Sequence, residues 1–195
     1  MVNKSLLLIK SNLKKSIKQI IALILLVILS ACIFNVFLTI SYDYPKNFDV
    51  QCEKLDSSDY NLNFLNFTSL DGKSAIEEVA SKNEKVKDYE IIPIYDGHGT
   101  IDFGEDSELT NILFFESYTT ATSRKYDKYE ILEESNEKYE DGVYLSYLFK
   151  VSAHYKVGDE VNMTLSNHNY SFHIQGFYNA IVTGTINCGG IAIII

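Results

Sequence analysis

GVYLSYLFKVSAHYKVGDEVNMTLSNHNYSFHIQGFY, residues 142–178, carries the densest structural pattern in the chain. GVYLS (142–146) has the composition of a strand, and YLFKVSAHY (147–155) that of a short helix. KVGDEVNMTL (156–165) reads as a turn on Gly158-Asp159 followed by a strand. NHN (167–169) turns the chain into YSFHIQGFY (170–178), where Tyr170, Phe172 and Ile174 alternate. The stretch is therefore a small β-rich unit with one helix.

Upstream, DYNLNFLNF (59–67) has strand composition, with Tyr60, Leu62 and Phe64 alternating. Asp71 can cap a helix over 72–86, whose apolar stripe is Ala75, Ile76, Val79, Ala80 and Val86. YEIIPIY (89–95) reads as the next strand, with Pro93 placing it at an edge or bulge. Strand, helix, strand in this order predicts a βαβ-like unit. Gly97, Gly99 and Gly104 punctuate the stretch that follows, and LTNILFFES (109–117) is a further strand. Residues 118–128 read as a polar loop, YEILE (129–133) as a short strand and 133–142 as a solvated acidic loop. Downstream, GGIAIII (189–195) is a continuous apolar run typical of a buried strand, and seven residues are too few to cross a bilayer.

Residues 20–40, IIALILLVILSACIFNVFLTI, are of another kind. Twenty-one residues at 1.5 Å rise reach about 31 Å, close to a hydrocarbon core of about 30 Å. Fifteen of them are Ile, Leu, Val or Phe, contributing roughly −5 to −9 kcal/mol to insertion. Lys4, Lys10, Lys14, Lys15 and Lys18 precede the span and no acid accompanies them, so the N-terminus is expected in the cytoplasm and residues 42–195 outside. Leu6, Ile9, Leu13 and Ile17 share one helical face and Lys10, Lys14 and Lys18 another, which predicts an amphipathic elbow over 1–19 at the cytoplasmic interface. The transmembrane helix takes 20–41, with Pro45 a natural end for it and 42–58 a short stalk that becomes irregular. Leu29-Ser30-Ala31-Cys32 also fits a lipobox, in which Cys32 would be lipidated and become the first residue. The apolar run continues for eight residues past Cys32, which favours an uncleaved span. Asn35, a polar amide in hydrocarbon, is a candidate for contact with another helix.

The chain has 195 residues and a formal charge of −9. Residues 41–195 hold 12 of the 17 basic and all 26 acidic residues, a net of −14. That charge argues against nucleic acid and against tight docking on anionic lipid. Sixteen lysines against one arginine, Arg124, with many Asn and Ile, resemble the usage of an AT-rich bacterial genome. Motifs of the GxxxxGK[ST], GxSxG, HExxH and GxGxxG types do not occur, and no nucleophile–base pair can be named, so an enzyme is not expected. His98 in DGHG (96–99), with Asp102, Glu105 and Asp106 behind it, reads as a solvated acidic turn rather than a cation site. His168 and His173 read as surface and strand positions, and no metal or cofactor site is expected on the chain. Cys52 and Cys188 lie on the outer side, where pairing is permitted; sequence leaves the bridge open.

Taken in order, a basic amphipathic helix, one span and a mixed outer domain resemble the N-terminal part of FtsX-like (MacB-type) ABC transporter permeases. The most specific match is GVYLS, the Val-Gly-Asp turn at Gly158 and Asp159, and the closing FHIQGFY strand, within 142–178. The resemblance implies an α+β fold: an elbow, a single N-terminal transmembrane helix and an extracytoplasmic mixed α/β domain over 42–195. That domain would divide into a porter-like half at 59–117, a β-rich insertion at 118–180 and the start of a second half at 181–195, incomplete at its C-terminus. It implies, as partners, the lipid bilayer, a second permease copy or half, and a separate cytoplasmic ATPase that binds the ATP. It also implies that this portion is not transport-competent alone and belongs to a longer permease. Two rivals stay open: a lipoprotein or single-span binding module lipidated at Cys32, and a sensor that docks a partner outside.

Overall fold

The computed structural model describes residues 2–62, 70–104, 107–181 and 190–195, and of 2–15, 70 and 71 the backbone path only. The chain forms two compact units, residues 1–50 and 51–195. The expected strand at 59–67, the acids Glu105 and Asp106, and Cys188 lie wholly or largely outside the described residues.

In the first unit, helix α1 runs Val2–Leu38 without a break at residue 19. From Ile20 to Phe37 its large apolar side chains are half or more exposed. Among the described residues, one helix is thus long and apolar enough to cross a membrane, a property that a signal sequence shares. Ser30 hides its hydroxyl by donating to the Leu26 carbonyl at 2.9 Å, one turn back. The helical path does not end near Pro45; the stalk stays helical to Lys54 and becomes irregular only after it. A wide π-turn occupies Thr39–Asp43, with Tyr44 N–H bonded to the Thr39 carbonyl, and α2 then covers Tyr44–Lys54. The reason is local. A proline lacks the N–H and clashes with the carbonyl four residues back, and a π-turn widens the coil at the point where the Pro45 ring must be accommodated.

The second unit contains α3 (Leu70–Lys82), β1 (Tyr95–Asp102), β2 (Glu108–Glu116), α4 (Tyr118–Ser123), β3 (Glu130–Glu134), β4 (Gly142–Ser146), α5 (Tyr147–Ala153), β5 (Glu160–Leu165), β6 (His168–Asn179) and β7 (Ile191–Ile194). The strands follow the order β3-β6-β4-β7-β2-β1-β5, and β5 pairs back to β6. Six strands therefore close into a barrel, with β3 added outside the ring. The β2–β7 and β4–β6 pairs are parallel; the others are antiparallel. β6 makes closure possible because it is long. Residues 168–173 pair with β5, and residues 176–179 pair with β3. At the handover stands Gly176, where a Cβ would run into the Glu133 carbonyl oxygen and lie 2.9 Å from the Tyr144 ring.

Alternation divides the core in two. Val143, Leu145, Val161, Met163, Ile174, Phe177, Ile191 and Ile193 fill one cluster, with Phe149 of α5 among them. Tyr144, Tyr178, Ala192 and Ile194 belong to a second cluster, with Ala121 of α4 and Tyr129. β7 is buried on both faces, which explains its unbroken apolar run. The expected strands and helix over 142–178 thus form, and the apolar run at the end of the chain supplies β7 at Ile191–Ile194.

Elsewhere the structure differs from expectation. Residues 89–94 are irregular, the strand begins at Tyr95, and the βαβ-like unit is not formed among the described residues. Asp96 and His98 are exposed, as expected, but DGHG lies within β1 rather than in a turn, and His98 pairs with Ile112 across the ladder. Gly99 serves close approach: a Cβ there would meet the Thr164 carbonyl of β5. Residues 118–123 of the expected polar loop are helical, capped by the Ser117 hydroxyl. β1 and β2, from 59–117, share one sheet with β4–β6, from 118–180.

Candidate functional site

Lys10, Lys14, Lys15 and Lys18 all fall on α1, as do Cys32 and Asn35. Lys18, Cys32 and Asn35 are exposed.

Gly158 and Asp159 form a closed turn between α5 and β5. Gly158 adopts φ +89°, and the Asp159 carboxylate accepts from Lys156 N–H at 2.7 Å. The turn is stitched to β6, because Gly158 N–H donates to the Ile174 carbonyl and Ile174 N–H to the Asp159 carbonyl, both at 2.9 Å. The loop 135–141, between β3 and β4, lies beside it, with the Tyr139 hydroxyl near Gly158. Buried Gln175 accepts from Tyr139 N–H at 3.1 Å and donates to the carbonyls of Ser135 and Glu137 at 3.3 and 2.9 Å. The His173 ring lies parallel to Tyr139 at 4.9 Å, with Nδ1 2.9 Å from Asp141. That contact holds the Asp141 carboxyl below the usual carboxylate range.

The richest polar cluster is centred on RKYDKYE, residues 124–130. Arg124 and Glu116 form a buried bidentate pair, 4% and 2% exposed, with Nε–Oε1 at 2.9 Å and Nη2–Oε2 at 2.5 Å. Tyr129 donates its hydroxyl to Glu116 at 3.0 Å, and its ring lies 4.5 Å from the guanidinium carbon. Burial disfavours the Arg124 charge. The Glu116 bond, with Tyr129 and Asp127 nearby, outweighs burial and raises its pKa above the ordinary value. Beside it, the buried Asp127 carboxylate accepts from Ser58 N–H at 3.1 Å, Ser58 Oγ at 2.5 Å and Asn61 Nδ2 at 3.3 Å. From a third side, Glu90 accepts from the N–H groups of Lys125 and Tyr126 at 2.9 to 3.1 Å. Asp88 pairs with the Lys125 ammonium and accepts from Tyr126 Oη at 2.9 Å. These two partners hold the Asp88 carboxyl below its usual range, and Asp88 in turn raises Lys125 and Tyr126.

One loop thus gathers three segments far apart in sequence: 54–61, 88–90 and Glu116. The carboxylates are occupied by hydrogen bonds within the fold, an arrangement suited to fastening. Sequence reasoning passed over this cluster. The signal available was composition: a buried bidentate partner calls for arginine, and Arg124 is the single arginine of a lysine-rich chain. Among the described residues, no group of three or more metal-type side chains converges. No protein-family model matches the sequence, and no match is found among curated proteins.

Proposed function

We propose that the chain is the N-terminal portion of an FtsX-like, MacB-type ABC transporter permease, coupling the motion of a cytoplasmic ATPase to an extracytoplasmic domain. What supports this reading most is the stretch 142–178. It folds in the order strand, helix, Gly158-Asp159 turn, strand, strand, behind an N-terminal helix apolar enough to cross a membrane. In this reading α1 lies in the cell membrane with its lysines in the cytoplasm, and the acidic barrel unit works outside. The porter-like half and the β-rich insertion would be fused here, since β1 and β2 complete the barrel of β4–β7. Asn35 would face a helix of a second permease copy or half, and Asn35→Leu would then weaken that association.

The anchor is tested by the intact mass of the membrane-extracted chain. The proposal requires residues 1–31 to be retained without lipid. Their loss, with a diacylglycerol on Cys32, would mean a lipoprotein, and the transporter reading would fall. A second check is vesicles containing this chain and an ATPase alone. No ATP-dependent efflux is expected from them, and efflux would overturn the claim that this portion does not transport unaided.

A further inference from the structure

Residues 54–58 meet residues 127–130 in antiparallel order. Lys54 Nζ bonds Glu130 Oε1 at 2.5 Å. The Leu55 carbonyl accepts from Lys128 N–H at 2.9 Å, and the Asp56 carbonyl from Asp127 N–H at 3.0 Å. Lys128 also pairs with the Asp56 carboxylate. The Asp127 carboxylate then ends the row on Ser58 and Asn61. Asp56 and Asp127 face each other with φ +48° each, a left-handed conformation that aspartate tolerates better than most residues.

We infer that residues 54–61 are a strap that peels from the loop 124–130 under tension, with the Asp127 carboxylate as its stop. The chain from the apolar helix enters at Lys54, and β3 leaves for the barrel wall at Glu130. Both ends lie at the same end of the row. Tension applied there loads the contacts one after another rather than all together. The first contact is an exposed ion pair, Lys54 being half exposed, and such pairs hold weakly. Two backbone hydrogen bonds follow. Leu55 is buried beside them, and the last contact is a buried charged acceptor with several donors, the strongest type of hydrogen bond in the row. Nothing in this sequence of events loads the ladders of β4–β6. The source of the tension rests on the permease reading; the order of peeling rests on the geometry alone.

The test is residue-resolved hydrogen exchange on the full chain in lipid nanodiscs. In the wild type, Lys128 N–H should exchange faster than Asp127 N–H and Ser58 N–H. Asp127→Gly keeps the backbone conformation and removes the carboxylate, whereas Asp127→Asn keeps the shape and removes the charge. Both should speed exchange at Ser58 and Lys128, by roughly 10- to 100-fold for the glycine variant, with β4 and β6 unchanged. Lys54→Ala should leave Ser58 protection as it was. Unchanged exchange in both Asp127 variants would overturn the strap, and so would loss of protection spreading through β4 and β6. Failure to find an ATPase beside the chain would instead remove the permease reading and leave the exchange result standing.

Discussion

Replacing Arg124 by methionine keeps most of the side-chain volume and leaves Glu116, 2% exposed, as an unpaired buried carboxylate. Breaking one side of a buried pair costs about 3–5 kcal/mol. For a unit of this size that corresponds to a fall in Tm of roughly 10–15 °C. Removing both charges, in Arg124→Met with Glu116→Leu, abolishes the unpaired charge. What remains lost is the Tyr129 hydroxyl bond and the bond from Arg124 Nη1 to the Asp127 carbonyl. At about 1 kcal/mol each, the double variant should sit about 2 kcal/mol below the wild type, well above the single variant. Arg124→Lys retains charge without the bidentate fork and should fall between. The assay is thermal and denaturant unfolding of the full chain in detergent, followed by near-ultraviolet circular dichroism of the tyrosines and analysed as a double-mutant cycle. A loss below 1 kcal/mol in Arg124→Met, or a double variant no better than the singles, would refute the claim that this pair organises the loop.

Gly176→Ala should cost about 1–3 kcal/mol and loosen β3 from β6, because the new methyl group meets the Glu133 carbonyl and the Tyr144 ring; equilibrium unfolding and exchange at β3 measure it. The Asp88 clamp should be acid-sensitive. Its folded pKa is depressed, so its contribution is full above the ordinary carboxylate value near pH 4 and is lost as pH falls through the lower folded value. A carboxyl NMR titration should place Asp88 below the ordinary value and move it part of the way back in Lys125→Ala, where Tyr126 still donates to it; an ordinary value in the wild type would contradict the clamp. Asn35→Leu should lower the dimer fraction on cross-linking in the membrane, and an unchanged fraction would remove the helix contact.

The elements that sequence made legible are those whose own residues decide them. β4, α5, β5 and β6 carry local alternation and turn chemistry, and β7 announces its two buried faces by an unbroken apolar run. The misses are tertiary. Gly99 looks like punctuation, yet it lets β1 lie against β5 and close the barrel, a contact about 65 residues away in sequence. Residues 89–94 have strand composition, but Glu90, with Asp88 just before it, is engaged by the loop 124–130 instead of a ladder. Pro45 predicts a helix end, and the π-turn before it accommodates the ring. The fastening cluster left only the trace of one arginine, because a loop that binds three distant segments has no period of its own.

The most direct measurement for the central claim is isolation of the chain, tagged and at native expression, from its own membrane, with every stoichiometric companion identified by peptide sequencing. If the chain is such a permease portion, the complex should contain an ABC-type ATPase and a second permease copy or half, with residues 1–31 still present. A chain recovered without an ATPase, or cleaved and lipidated at Cys32, would contradict it.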